Sequence, residues 1–378
     1  MKITIIGAGI GGLTLAIALQ KKGIEVEIFE ATSAFGKVGA GIVLAINAMQ
    51  VYQRLGLAQQ LKANGNCLEK MAITSADLKI MARNELAYFE KKYTLNNVAI
   101  HRATLHKILL SELSNVPLHL NKKLKKLEER VEGIHLEFLD GTTHTADLVI
   151  GADGIHSGVR QSIFPQAKER FAKQLCWRGV VPFKLEKGMD TTMREAWGNG
   201  RRFGIVPIEK GQVYWFACVS YQKNAKEAFE GTDLSALFSD FDPLVTQLIK
   251  ASPSNQIIEA ELSDLELLKT WHKGKVCLMG DAAHATTPNM GQGANQAIES
   301  AWVLADCLAK EADYHTAFER FQKTRQAKAH QIIKTSWQIG KLAHLQNPVL
   351  TTFRNAMVRI TPDAIGRKQL GKVFELNY

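Results

Sequence analysis

The chain has 378 residues, 46% apolar and 22% charged, a composition that excludes an intrinsically disordered polypeptide and fits a folded globular one. Lys and Arg number 47 against 37 Asp and Glu, a formal net charge of +10, but the basic residues are scattered and the densest run, Lys122 to Lys126, is followed closely by acids. That pattern predicts a solvated surface and no nucleic-acid partner; an anionic small ligand is the other use for the charge.

In chain order, "KITIIGAGIGGLTLAIALQKKGIEVEIFE" comes first. Lys2 to Ile6 reads as a strand, Gly7, Gly9 and Gly12 spell GxGxxG, Leu13 to Lys22 has helical periodicity, and Glu25 to Phe29 is a second strand ending on Glu30. Gly7 permits the sharp turn, Gly9 lets backbone approach a pyrophosphate, Gly12 lets helix pack on strand, and Glu30 can accept hydrogen bonds from a ribose. A dinucleotide is the expected ligand. The stretch does not fit a secretory signal, because four glycines interrupt it and Lys21, Lys22 and Gly23 end it like a surface helix. No other stretch is apolar and long enough to span a bilayer.

Residues 71–98 and 168–264 differ from the rest. Short β-rich runs such as "QLCWRGVVPF", "RRFGIVPI" and "QVYWFACVS", separated by Gly and Lys turns, predict an antiparallel sheet inserted into the nucleotide-binding domain. Between the two insertions a hairpin over Gly133 to His144 leads to "ADLVIGADGIHSGVR", a strand at Leu148 to Ile150 and a turn at Asp153 and Gly154, with Ser157 placed to cap a helix that carries Arg160. Further on, "GKVCLMGDAAHATTPNMGQGAN" has a strand at Val276 to Met279, then Gly280 and Asp281. A helical pattern runs from Ala312 through Leu345, and a mixed tail reaches Tyr378. Their basic, amphipathic look permits membrane contact, but packing across the domain surfaces is the expected role. The five cysteines form no CxxC, which predicts reduced, buried thiols, no metal site and a cytoplasmic protein.

The three motifs in this order resemble the FAD-dependent monooxygenases related to para-hydroxybenzoate hydroxylase, in the branch with urate hydroxylase-like and zeaxanthin epoxidase-like members. The resemblance implies an α/β fold: a Rossmann-like FAD-binding domain (GR2-type) with an inserted antiparallel β-sheet substrate domain and C-terminal helices. The FAD-binding domain is expected over residues 1–70, 99–167 and 265–330, the substrate domain over 71–98 and 168–264, and a C-terminal helical region over 331–378. It further implies that Gly7, Gly9, Gly12 and Glu30 bind the adenosine half of FAD, that Arg102 contacts FAD near its pyrophosphate and ribityl portion, and that Asp281, after Gly280, binds a ribityl hydroxyl. Asp153 and Gly154 are tied to FAD and the nicotinamide cofactor together. "PNMGQGAN", with Pro288, Gly291, Gly293 and Asn295, runs along the isoalloxazine ring. Many relatives carry an arginine where Lys37 stands here, so a phosphate contact at Lys37 lacks the bidentate fork.

The implied reaction is reduction of FAD by NADH or NADPH, addition of dioxygen to give a flavin hydroperoxide, and hydroxylation of a small aromatic or related ring. Only one GxGxxG occurs, which agrees with the transient nicotinamide binding that the resemblance implies. Arg202, to hold an anionic or carbonyl oxygen, and Tyr214, to stack or donate a hydrogen bond, are the candidate substrate residues; Trp177, Arg178 and Trp197 are weaker ones. His284 reads as a hydrogen-bonded turn residue without chemistry. A reductase of the same fold, without oxygen incorporation, is the alternative, and a monomer or homodimer with no membrane partner is expected.

Overall fold

The computed structural model of the chain describes residues 2–36, 40–209, 211–221, 229 and 231–378. Strands Ile3–Ile6, Val26–Phe29, Leu148–Gly151 and Val276–Leu278 lie parallel in a six-stranded sheet, with Ile3 opposite both Val26 and Leu148 and Val149 opposite Val276. Leu118–His119 and the antiparallel His272–Lys273 close its two edges. Every residue of the first strand is buried, because the helices Ile10–Lys21 and Gly293–Lys310 pack together on one side and the three-stranded antiparallel sheet of residues 124–146 covers the other, where the rings of Phe29 and Phe138 stack 4.9 Å apart. Parallel strands run their carboxyl ends to one edge, so the residues after Ile6, Gly151 and Leu278 meet there.

The two β-rich insertions build one sheet of seven strands, ordered Ile258–Leu265, Glu169–Pro182, Gln212–Ser220, Arg201–Pro207, Thr192–Trp197, Lys70–Ser75, Ile80–Glu85. One pairing departs from the antiparallel expectation: Thr192–Trp197 runs parallel to Lys70–Ser75, because these strands come from different insertions and no hairpin dictates their direction. Side chains alternate. Leu175, Trp177, Phe203, Ile205, Trp215 and Ala217 face the helices Leu234–Leu237 and Pro243–Ala251, and the opposite face turns to the nucleotide domain. The helix Tyr314–Ala343 runs unbroken through the expected boundary at 330/331, since nothing between Ala327 and Gly340 breaks its periodicity; Pro348–Ile360 and Asp363–Phe374 follow it.

Candidate active site

The glycine turn has three distinct geometries. Gly7 sits at φ +107°, and a Cβ there would lie 2.5 Å from the Ala152 carbonyl oxygen; one on Gly12 would lie 2.0 Å from the Gly7 oxygen. Both glycines exist for close backbone packing. Over Gly9 nothing lies within 4 Å of where a Cβ would stand, which leaves open space at the amino end of the helix Ile10–Lys21. Glu30 accepts from the Ala8 N–H at 2.7 Å and the Thr32 N–H at 2.8 Å, one bond on each oxygen, so its remaining lone pairs are free for hydroxyl donors. An open phosphate seat with an acid at the end of the second strand fits a dinucleotide such as FAD.

The parallel pairing of Ile3–Ile6 with Leu148–Gly151 places Ala152 and Asp153 against Gly7. Asp153 accepts from the Ser157 hydroxyl and from the Val159 N–H at 3.1 Å, yet burial raises its carboxyl above the ordinary range. Gly154 follows at φ +80°, where glycine is favoured. Ser157 caps its helix by accepting from the Arg160 N–H at 2.8 Å, and the buried Arg160 guanidinium donates to the carbonyls of Ile155 and Ala282. That bridge ties the turn at Asp153 to the turn at Asp281. Asp281 is exposed, but the protein around it is dense enough that burial raises its carboxyl, with Arg102 and Arg160 acting in the opposite direction. It therefore faces a cleft. Arg102, exposed at the amino end of the helix Arg102–Ser111, stands within electrostatic reach of both Asp281 and Tyr214.

The segment after Asp281 is a tightly held loop. Pro288–Met290 makes one 3-10 turn, Gly291 takes φ +60°, and the helix Gly293–Lys310 begins with its amino end toward the Asp281 carboxylate, 3.9 Å from a Cβ on Gly293. Asn295 is 1% exposed, and its side chain accepts from the Ala45 N–H and donates to the carbonyls of Val43 and Gly291. Its side chain positions the loop, leaving the backbone amides of the helix terminus to face the cleft. Asn289 donates to Thr287 Oγ1 and the Ser336 carbonyl, which the absence of a side chain at Gly340 permits. Beneath, Glu299 is fully buried and accepts from Arg325, Lys328 and Asn47, fixing this helix to two others. His284 is buried, bonded to Ser300 Oγ at 3.0 Å and packed on Trp271; burial lowers it to about 3, so it is neutral and structural.

The sheet face turned toward this loop carries three rows in register: Val180, Tyr214, Val206 and Met193; Arg178, Phe216, Gly204 and Glu195; Cys176, Cys218, Arg202 and Trp197. A Cβ on Gly41 would lie 2.6 Å from the Tyr214 ring, so the strand Gly41–Leu44 of the nucleotide domain crosses directly over this tyrosine. Gly204 makes room for the Phe216 ring in the same way. Arg202 is 1% exposed and donates to Glu195 Oε1 at 2.9 Å, to His344 Nε2 at 2.8 Å and to Asn289 Oδ1. Arg178 differs: it is half-buried, lies within electrostatic reach of the Cys176 thiol, and has no carboxylate partner among the described residues. Tyr214 lies within its electrostatic reach, and burial raises the phenol, which has no hydrogen-bond partner among the described residues.

The structure thus brings Gly7, Gly9, Gly12, Glu30, Asp153, Gly154, Gly280, Asp281, Pro288, Gly291 and Gly293 to one edge of the sheet, with Arg102, Arg202 and Tyr214 beside it. Lys37 and Gly39 lie outside the described residues. Trp177 belongs to the opposite face, bonded to Glu259, and Trp197 donates to Glu195 under the Arg354 guanidinium. Sequence reasoning did not find Glu195, whose partners Trp197 and Arg202 lie two and seven residues on across a hairpin, nor Asn289, Glu299 and His344, whose partners lie farther off; the available signal was an acid, Glu299, within the largely apolar stretch "AIESAWVLA".

A family model described as "FAD binding domain" matches residues 1–336. The aurachin C monooxygenase/isomerase of Stigmatella aurantiaca is 34% identical over 361 residues, covering 95% of this chain and 94% of its own length. The 2-heptyl-3-hydroxy-4(1H)-quinolone synthase of Pseudomonas aeruginosa is 32% identical over 381 residues, covering 99% and 98%. The crystal structure of Klebsiella pneumoniae HpxO complexed with FAD and uric acid superposes with a TM-score of 0.87 at 26% identity, over 99% of this chain and 96% of that one. None of these likenesses supports the reductase alternative.

Proposed function

The chain belongs to the FAD binding domain family and is an FAD-dependent monooxygenase of the aromatic hydroxylase type, and from that premise we propose that its substrate is a flat ring with a carbonyl or ionisable oxygen, seated between Arg178 and Tyr214. The observation that carries this reading is the Arg178 guanidinium, a cation without a carboxylate partner among the described residues on the sheet face turned to the nucleotide domain. A half-buried cation there favours an anion or a strong acceptor.

When bound, FAD supplies electron transfer and oxygen activation, with NADH or NADPH as the reductant and dioxygen as the oxygen source. Gly9 and the amino end of its helix would hold the pyrophosphate, Glu30 the adenosine ribose, Asp281 the ribityl chain, and the amides from Gly291 to Asn295 the pyrimidine end of the ring. Tyr214 stays protonated, since burial raises its phenol, and donates to the substrate oxygen. Arg178 stabilises negative charge on that oxygen and so makes the ring electron-rich, the property hydroxylation requires. Met71, Met193, Val180, Val206 and Phe216 surround the ring and exclude water. Arg202 acts through Asn289, holding the isoalloxazine loop against the sheet.

Two relatives support the substrate class. The product named for the Pseudomonas aeruginosa synthase and the uric acid bound by HpxO are both flat nitrogen heterocycles with carbonyl oxygens. The test is oxidation of NADH and NADPH by the FAD-loaded protein under labelled dioxygen, with 4-quinolones and purines offered as substrates. One ring compound should accelerate oxidation and gain one labelled oxygen atom. Acceleration with no label in any product would overturn the proposed use of dioxygen.

A further inference from the structure

The helix Pro348–Ile360 is packed inside out. Its polar side chains Thr351 and Arg354 are the buried ones, at 4% and 3% exposure, and Arg354 donates to the carbonyls of Ala343 and Gly198 while its guanidinium lies 5.3 Å from the Trp197 ring centre. Val358 packs inward with Met81, Trp197 and Ala343, but the helix's other large apolar side chains face outward: Val349, Leu350, Phe353, Met357 and Ile360 are 46% to 76% exposed. Val349, Phe353, Met357 and Ile360 follow a spacing of four, four and three residues, so they form one stripe along the helix. Leu342 before the helix and Ile365 after it extend the exposed apolar surface.

Basic residues predominate in this part of the chain. From Asn347 to Phe374 there are five, Arg354, Arg359, Arg367, Lys368 and Lys372, against the single acid Asp363, and all but Arg354 are exposed. An exposed apolar stripe in a segment with an excess of exposed cations, on a helix anchored by its polar face, matches the chemistry of an anionic lipid surface: apolar side chains enter the acyl boundary while Arg and Lys meet the headgroups. A second copy of the chain fits less well, because a two-fold contact through this segment would bring together two copies of a locally cationic stretch in a molecule of net charge +10. No helix among the described residues is long and apolar enough to cross a membrane, so the contact is peripheral.

We propose that this face is a docking surface for anionic phospholipid bilayers, with the helix Pro348–Ile360 lying in the plane of the interface. From the sequence, packing across the domain surfaces is the expected role of this segment and membrane contact the lesser alternative. The proposed contact rests on surface chemistry and stands whether or not the substrate reading holds.

The FAD-loaded protein sediments with vesicles in the test, using phosphatidylcholine alone and phosphatidylcholine mixed with phosphatidylglycerol. Partition into the mixed vesicles should be at least about tenfold stronger and should weaken as salt rises. The double variant Phe353→Glu, Ile360→Glu should lose about tenfold in partition while its urea midpoint and FAD content stay at wild-type values; Val349→Glu is the substitute if the double variant does not fold. No sedimentation with either vesicle, equal binding to both, or binding unchanged by these substitutions would overturn the proposal. So would a concentration-dependent dimer, seen by sedimentation velocity, that the same substitutions dissociate.

Discussion

Arg202, on the substrate sheet, donates through Nη2 to the side-chain oxygen of Asn289, in the loop that follows Pro288, and the same guanidinium pairs with Glu195. One buried cation therefore joins two domains. Replacing it removes the partner of a mostly buried carboxylate and frees the loop. Arg202→Met should cost about 3 kcal/mol of stability, read from urea unfolding, and should lower kcat and FAD retention together. A large rise in KM with stability and FAD content intact would instead make Arg202 a direct substrate contact.

Arg178 should behave in the opposite way. No carboxylate partner is left behind by its loss, so Arg178→Gln is expected to unfold at the wild-type urea concentration and to hold FAD normally. A charge-assisted hydrogen bond to the ring oxygen contributes about 1.5–3 kcal/mol, which corresponds to a rise of roughly tenfold to a hundredfold in KM. Steady-state kinetics on the substrate identified by oxygen labelling give the answer, and an unchanged KM sinks the assignment.

The glycines of the first turn separate folding from binding. Gly12→Ala forces a Cβ to within 2.0 Å of the Gly7 carbonyl oxygen, so the protein should be strongly destabilised or insoluble. Gly9→Ala meets nothing in the protein and has an ordinary extended φ of −69°, so the FAD-free protein should keep its melting temperature. Its added methyl enters the space proposed for the pyrophosphate, and FAD titration should show at least about tenfold weaker binding.

Stability should fall in acid, partly because of His284. Burial lowers this histidine to about 3, against 6.5 in the ordinary state, and its Nδ1 has no hydrogen-bond partner. The unfolded chain then binds the proton more readily, so the full contribution is present above about pH 6.5 and is lost progressively as pH falls toward about 3. At 1.36 kcal/mol for each pH unit, the loss between pH 7 and pH 5 attributable to His284 is about 2 kcal/mol. Comparing urea unfolding of wild type and His284→Gln at the two pH values isolates it: the variant should lose about that much less.

The nucleotide half of the protein was legible in the sequence because its determinants are local. A strand, a glycine turn, a helix and an acid occupy about thirty consecutive residues, and period and turn chemistry are properties of such a window. The motifs at Asp153 and Asp281 are local in the same sense, and the parallel sheet needs only to align their strand ends to assemble the rest. Even the inserted sheet announced itself by short β-rich runs between Gly and Lys turns.

What that face does was decided by the tertiary structure. Arg178 and Arg202 sit on the same side of the sheet, and only Arg202 has an acid, Glu195, near it along the chain, across its own hairpin. Glu195, Asn289 and His344 reach Arg202 from three separate segments, and none reaches Arg178. The helix Pro348–Ile360 makes the same point, since the sequence reads there only as part of a mixed tail and the direction of its apolar stripe follows from what it packs on. A charge is neutralised, or a stripe covered, by groups brought near in space, and those partners lie far apart along the chain.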